Sequence, residues 1–261
     1  MNDPLPLLDH PLDSPSAFTA EAVMQAVRIE RKLLEEPIPQ VCVLEFDGDL
    51  TDWLVSRNIV RKWNSWACFH TTMFSFEEDG VECGIVPRTI GGAYSVLIAE
   101  QMAAAGARVV LGLTSAGRVS PQMPVPGLVV ATSAIRDEGT SYHYLSPATT
   151  VEAPLRAAES LKTELMKLSL PVRSGTVWTT DAPYRETEKQ LVRYAEAGVL
   201  AVEMQAASLF AFSVARKFPL GIVAHVTNSV KETSNSFEKG SHEEEFEILQ
   251  AICRAGKNIL T

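Results

Sequence analysis

Gly198-Val199-Leu200-Ala201-Val202-Glu203-Met204-Gln205-Ala206-Ala207 is the stretch whose reading decides the fold. Four apolar residues behind a glycine predict a short buried strand, and the apolar run that continues to Phe218 predicts a helix. One acidic residue, Glu203, stands between them. A carboxylate there sits at the C-terminal edge of a sheet, where open α/β folds take ligands. It also sits at a helix N-terminus, where negative charge is tolerated. Taken alone, Glu203 reads equally well as an ordinary first-turn helix residue.

The rest of the chain repeats the alternation. Val41–Phe46, Arg108–Leu113, Leu128–Ile135, Gly175–Thr180 and Leu220–Thr227 read as strands. Ser16–Glu36, Leu50–Trp63, Gly91–Ala105, Val151–Leu168, Glu186–Ala197 and Ser241–Ile259 read as helices. The last opens with Ser241 and Glu244 at capping-box spacing. In the first, Phe18, Val23, Val27 and Leu34 are the expected buried positions, and Pro37 and Pro39 end it. Asp79-Gly80 between Ala67–Phe76 and Val81–Val86 predicts a hairpin. Strands alternating with helices put the chain in the α/β class. No repeat or linker divides it, so one domain over 1–261 is expected, with 1–40 an N-terminal arm and helix. Met1–Pro15, with four prolines, reads as an arm.

Bulk composition narrows the partners. A net charge of −9 argues against a general grip on nucleic acid, which needs clustered Lys and Arg. Cys42, Cys68, Cys83 and Cys253 lack CxxC spacing and read as reduced core thiols. His10, His70, His143, His225 and His242 lie far apart in no metal-binding spacing, so no metal is expected. Met1–Pro15 has no basic start or apolar core, and no apolar run approaches the ~20 residues that span a bilayer. A cytoplasmic protein with neither a membrane nor a nucleic-acid partner is expected.

Three small-residue turns follow apolar strands: Asp47-Gly48-Asp49, Arg88-Thr89-Ile90-Gly91-Gly92 and Thr114-Ser115-Ala116-Gly117. Gly91 and Gly92, at a helix start, would let a ligand approach exposed backbone N–H groups. None of the three matches a P-loop or dinucleotide fingerprint, and each is also an ordinary turn. Two polar segments stand out as well. Arg136–Tyr144 is dense in functional groups, suited to a site or a subunit contact. Thr179–Thr187 sets Tyr184 beside Arg185, a pair suited to a planar heterocycle with carbonyl oxygens. Its plainer reading is a helix N-cap at Asp181 with Pro183 in the first turn.

In this order, Thr89-Ile90-Gly91-Gly92, Thr114-Ser115-Ala116-Gly117, Asp137–His143, Thr180-Asp181 with Tyr184-Arg185, Val202–Ala207 and Thr227-Asn228 resemble the nucleoside phosphorylase family, its uridine phosphorylase branch in particular. The resemblance covers roughly residues 40–260. It implies a mixed, partly closed central sheet surrounded by helices. It also implies cleavage of the N-glycosidic bond of a nucleoside, with phosphate as a possible co-substrate or water as acceptor. Glu203, Met204 and Gln205 would lie under the ribose, with Gly91, Gly92, Ser115, Ala116 and Gly117 in the substrate site. Tyr184 and Arg185 would face the base. Asn228 stands where purine-cleaving relatives carry an aspartate acid. An amide cannot be a general acid at neutral pH, so stabilising the leaving base would fall to Arg185. A homo-oligomer, dimer or hexamer, is implied, with the site near the subunit interface.

The departures from that pattern concern anions. Phosphorolytic relatives hold phosphate with a glycine and an arginine in the first strand–turn segment, which here reads Glu45-Phe46-Asp47-Gly48-Asp49-Leu50. A second arginine is replaced by Gly112. A third, from a neighbouring subunit, corresponds to Phe69 or His70. Gln205 stands where a second glutamate is usual. Three carboxylates near the acceptor disfavour a phosphate dianion unless Arg88 or Arg118 swings in. They suit a water activated by Asp47 or Asp49. Two readings follow: a uridine-cleaving phosphorylase or nucleosidase, and a nucleoside-binding homologue without chemistry.

Overall fold

The structure, a computed structural model, describes residues 5–229 and 240–261, with Asn228 and Ser229 described through their backbone. Among these residues, ten strands form one sheet in the order β10-β6-β8-β9-β5-β1-β4-β3-β2, with β7 beside β6 and a further pairing of β10 with β5. The strands are β1 (Val41–Glu45), β2 (Arg61–Lys62), β3 (Phe74–Glu78), β4 (Val81–Pro87), β5 (Val109–Arg118), β6 (Gly127–Asp137), β7 (Thr150–Glu152), β8 (Val172–Thr180), β9 (Ala201–Glu203) and β10 (Leu220–Ser229). The β10–β5 pairing closes a ring of β5, β10, β6, β8 and β9. From β5 the sheet continues as an open wing through β1, β4, β3 and β2. This is the mixed, partly closed sheet expected from the sequence.

Parallel strands covered on both faces read as continuous apolar runs, and β1 is buried throughout. Its residues alternate between two cores. Cys42, Leu44 and then Phe46 face a layer holding Met102, Phe210 and Phe212. Val41 and Val43 face the other, with Leu54, Leu111, Leu249 and Ile252. The β3–β4 hairpin forms as expected, Glu78 opposite Val81. Asp79 and Gly80 both take positive φ, 52° and 74°, the pair of conformations a tight right-twisted hairpin demands.

The helices are α1 (Ala20–Arg31), α2 (Asp49–Ser56), α3 (Gly92–Ala104), α4 (Leu155–Leu165), α5 (Glu188–Glu196), α6 (Ala206–Arg216) and α7 (His242–Leu260). α7 carries the expected capping box: Ser241 accepts from Glu244 N, and the Glu244 side chain returns to Ser241 N.

Several expectations are corrected. α1 is shorter than Ser16–Glu36. Val27 is buried in it, but Phe18 and Leu34 are 78% and 71% exposed, because they lie beyond its two ends and never enter the packed stripe. The helix expected over Leu50–Trp63 stops at Ser56, and Arg61–Lys62 pairs with β3 instead. Val151 belongs to a short strand, β7, hydrogen-bonded to β6 before α4 begins. Asp181 is not a helix cap. Thr187 caps α5 in a capping box with Gln190, and Asp181 instead accepts from Gly139 N at 2.9 Å. No helix among the described residues is long and apolar enough to cross a membrane.

Candidate functional site

The β9–α6 junction begins the site. Glu203 ends β9 only 4% exposed. Its Oε2 accepts from Gln205 N at 2.6 Å and Ala206 N at 2.8 Å. Its Oε1 accepts from the Thr179 hydroxyl at 2.5 Å. Gln205 occupies the N-cap position of α6 without making a side-chain cap, so Glu203 supplies the acceptor the helix start needs. Burial pushes its carboxyl up to about 7, against the downward pull of Thr179 and the two backbone amides, with Glu138 adding to the rise. Of the Glu203-Met204-Gln205 turn, Met204 alone is half-buried; the other two are buried. Gln205 Oε1 accepts from Thr114 Oγ1 at 3.3 Å and Met204 N at 3.2 Å, which ties the turn to the end of β5.

The first loop comes to the same place. Glu45, at the end of β1, is buried, its Oε1 accepting from Gly48 N at 2.6 Å and its Oε2 from Thr51 Oγ1 at 2.9 Å and Thr51 N at 3.3 Å. Burial raises it to about 7 despite these bonds, and Asp47 adds to the rise. Asp47 reaches across to β5. Ser115 donates its backbone N–H to Asp47 Oδ2 at 3.3 Å and its hydroxyl to Oδ1 at 3.1 Å. Glu45, Asp47 and Asp49 offer carboxylate oxygens within 4.8 Å of one another, a spacing that suits an oxygen-loving divalent cation. The sequence had shown the three acids in one loop but no metal set. Arg88 lies over this loop. A Cβ on Gly48 would stand 3.1 Å from Arg88 Nε and Cζ. The Arg88 guanidinium is ion-paired with Asp52, and its backbone takes φ 60°.

The Gly91-Gly92 turn starts α3, with Gly91 at φ 89°. A Cβ on Gly92 would land on the Ser208 hydroxyl, so this glycine is required by the approach of α6. Ser208 donates to Glu138 Oε2 at 2.5 Å, and Ser141 N donates to the same oxygen at 2.9 Å. Glu138 Oε1 is buried without a hydrogen-bond partner among the described residues. The dense Arg136–Tyr144 segment is largely stapled to itself. Arg136 donates to Ser141 Oγ, Ser146 O and Leu145 O at 2.8, 2.8 and 3.2 Å, with its guanidinium 4.3 Å from the Tyr142 ring centroid.

Other expected residues stand apart. Tyr184 and Arg185 lie on a 3-10 turn (Pro183–Arg185), with Tyr184 99% exposed and Arg185 exposed. Ala116 and Gly117 continue β5 beside β10, where Gly117 faces Asn228 across the ladder. The Asn228 side chain lies outside the described residues. His70 is exposed and lines a groove of about 1140 Å³ with Phe18, Leu97, His143 and Phe212; the acidic loop does not line it. Sequence reasoning missed Thr179 and Ser208 as partners of the buried acids. No local pattern marks them, because each reaches an acid distant along the chain.

A family model described as the phosphorylase superfamily matches residues 58–258. The chain belongs to the phosphorylase superfamily. It is a family that binds nucleosides. Among relatives, a guanosine phosphorylase of Halorubrum lacusprofundi is 28% identical over 156 residues, covering 58% of this chain and 63% of that one. A DeoD-type purine nucleoside phosphorylase of Myxococcus xanthus is 31% identical over 124 residues, 44% and 49% of the two chains. The uridine phosphorylase of Escherichia coli is 23% identical over 169 residues, 59% and 67%. The first of these matches thus span from about half to just under two thirds of the relatives' lengths. In fold, the superfamily member described here is similar to a crystal structure of uridine phosphorylase from Vibrio fischeri. The TM-score is 0.73 and the identity 22%, over 87% of this chain and 94% of that one.

Proposed function

We propose that this chain cleaves the N-glycosidic bond of a uridine-like nucleoside and passes the sugar to water. The observation that carries the proposal is the carboxylate of Asp47 on the amide and hydroxyl of Ser115. A negative charge already held on those donors repels a phosphate dianion and offers a base to a water molecule. Gly112 supports the same reading. A Cβ there would meet Ile222 Cδ1 at 2.6 Å and Phe46 Cε2 at 2.9 Å, so a phosphate-holding arginine has no room at that position.

In this proposal Asp47 or Asp49 activates the water. Gly91, Gly92 and the Ser115–Gly117 edge allow close approach of the substrate. Met204 and Gln205 carry the sugar. Gln205 Oε1 is engaged by Thr114, so its Nε2 edge addresses a hydroxyl as donor. Glu203 positions that turn from behind rather than touching the sugar. Tyr184 and Arg185, from their exposed turn, meet the base, and Arg185 stabilises charge growing on it. Asn228, whose amide is no general acid at neutral pH, supplies no catalytic proton. His70 serves a neighbouring copy in a homo-oligomer.

The test is base release from uridine and a nucleoside panel by purified protein, with and without phosphate. The expected outcome is phosphate-independent release with free ribose as product. Strict phosphate dependence, with ribose 1-phosphate formed, would overturn it. A second reading, nucleoside binding without turnover, is favoured by the neutral Gln205, which cannot stabilise a cationic sugar by charge. Binding with no base released from any nucleoside would establish it.

A further inference from the structure

Two turns carry the nucleoside in the reading above, Met204–Gln205 under the sugar and Tyr184–Arg185 at the base. They belong to different elements, so the span between them has to match the span of one ligand. Glu138 and Gly139, the two residues after β6, are bonded to both sides. Glu138 is 7% exposed, yet one oxygen makes both of its bonds: Oε2 accepts from the Ser208 hydroxyl at 2.5 Å and from Ser141 N at 2.9 Å. Oε1 is buried without a partner among the described residues, so the joint at Oε2 alone fixes this side chain. Ser208 stands in the first turn of α6, three residues after Gln205, and is fully buried. Gly92, at the start of α3, packs against the same hydroxyl. On the other side Gly139 donates its N–H to Asp181 Oδ2 at 2.9 Å, which anchors the turn that carries Tyr184 and Arg185. Thr179 also reaches α6, but it ties the end of β8 and stops short of that turn.

We infer that Glu138, acting through Ser208 on one side and Gly139 on the other, is a positioning residue that sets the separation between the sugar turn and the base turn. The inference rests on the nucleoside reading above. A nucleoside is two ligands joined by one bond. Joined ligands gain affinity over their parts only where both sites can be engaged at once, and a small misplacement of either site removes the gain. With the joint loosened, each part still meets its own turn, while the joined molecule loses its advantage.

The experiment reads binding by the full chain. The wild type, E138A, S208A and E138Q are titrated with uridine by calorimetry, and with uracil and ribose separately by ligand-observed NMR. S208A takes away one bond and leaves the carboxylate on Ser141 N, so the answer does not hang on the folding of E138A. E138Q keeps a carbonyl oxygen for both donors and serves as the rescue. Uridine affinity should fall on the order of tenfold or more in E138A and S208A, while uracil and ribose stay within about threefold of the wild type. E138Q should hold uridine within about threefold of the wild type. A second measurement needs no ligand. Spin labels on Ala182→Cys, in the exposed turn, and Val214→Cys, 47% exposed near the end of α6, read the separation, since the four native cysteines are buried. Their distance distribution should broaden in S208A. Undiminished uridine binding in S208A, equal losses for uridine and its parts, E138Q as weak as E138A, or an unchanged label distance would each overturn the inference. No uridine binding by the wild type, with the label distance still broadened by S208A, would sink the nucleoside reading and leave the joint standing.

Discussion

Thr179 and Glu203 form the hinge of the β8–β9–α6 corner: the Thr179 hydroxyl donates to Glu203 Oε1 at 2.5 Å while accepting from Ala207 N at 2.9 Å. One hydroxyl thereby joins the strand that precedes the exposed Tyr184 turn to the acid that caps α6. Replacing Thr179 with Val keeps the shape and removes both bonds. It leaves a buried carboxylate oxygen and a buried N–H without that partner, at about 1–3 kcal/mol for each unsatisfied group. T179V should therefore lower unfolding stability by roughly 2–6 kcal/mol in urea titrations. A loss below about 0.5 kcal/mol, the range of an ordinary surface change, would show that the corner is held by something else.

Glu45 and Glu203 make the fold sensitive to pH near neutrality. Burial raises both from about 4.5 to about 7, so between those values the folded chain holds protons that the unfolded chain has released. By linkage, stability is greatest below the unfolded value and falls as pH rises toward 7, at about 1.4 kcal/mol per pH unit for each group. The carboxyls of Glu164 and Asp79 are shifted down. Their contributions are lost only below the usual carboxylate value and leave this window untouched. E45Q removes one titration. Relative to the wild type it should gain about 3 kcal/mol between pH 4.5 and pH 7.5, read by urea unfolding across that range. A difference that stays flat with pH would show that Glu45 does not titrate there.

Gly112 is confined from two sides, by Ile222 and Phe46. G112A should lose about 1–3 kcal/mol through overpacking. Shortening the nearer neighbour with I222V removes the Cδ1 atom that an added methyl would strike, so the double variant should recover part of the loss. A double-mutant cycle in thermal or urea unfolding measures the coupling, expected at about 0.5–2 kcal/mol. Strict additivity would mean that the backbone of β5 moves instead. On the same grounds G112R should fail to create phosphate dependence.

What the sequence makes legible here follows the range of the forces involved. β1 is readable because a strand buried on both faces must be apolar throughout. The Asp79-Gly80 hairpin and the Ser241–Glu244 cap are readable because their partners are a few residues apart. The N-terminal helix shows the limit: a helical period marks a stripe, but nothing local says that Phe18 and Leu34 fall outside the packed part. β7 exists only because β6 offers a free ladder beside Val151, a condition invisible in residues 150–152. In the site, the turns and acids were visible individually. The pairings that give them meaning, Asp47 with Ser115 and Glu203 with Thr179, join residues 68 and 24 positions apart.

The N-terminal arm docks on the Arg136–Tyr144 segment. Leu7 Cδ1 lies 3.9 Å from where a Cβ on Gly139 would stand, and the His10 and His143 rings meet with centroids 4.0 Å apart, tilted by 42°. Burial pushes His143 below its usual value, and His10 pushes it the same way, while Glu138 opposes both. A histidine lowered on folding contributes stability above its unfolded value of about 6.5 and loses it as pH falls, because the unfolded chain then binds the proton more readily. Protonating the His143 ring works against its burial and against the neighbouring His10 ring, and so favours release of the arm. Hydrogen exchange over residues 5–13 should therefore be faster at pH 5.5 than at pH 7.5, after correction for intrinsic rates, and H143F should abolish the difference. Equal protection at the two pH values would mean that Leu7 and its apolar contacts hold the arm without help from the histidine pair.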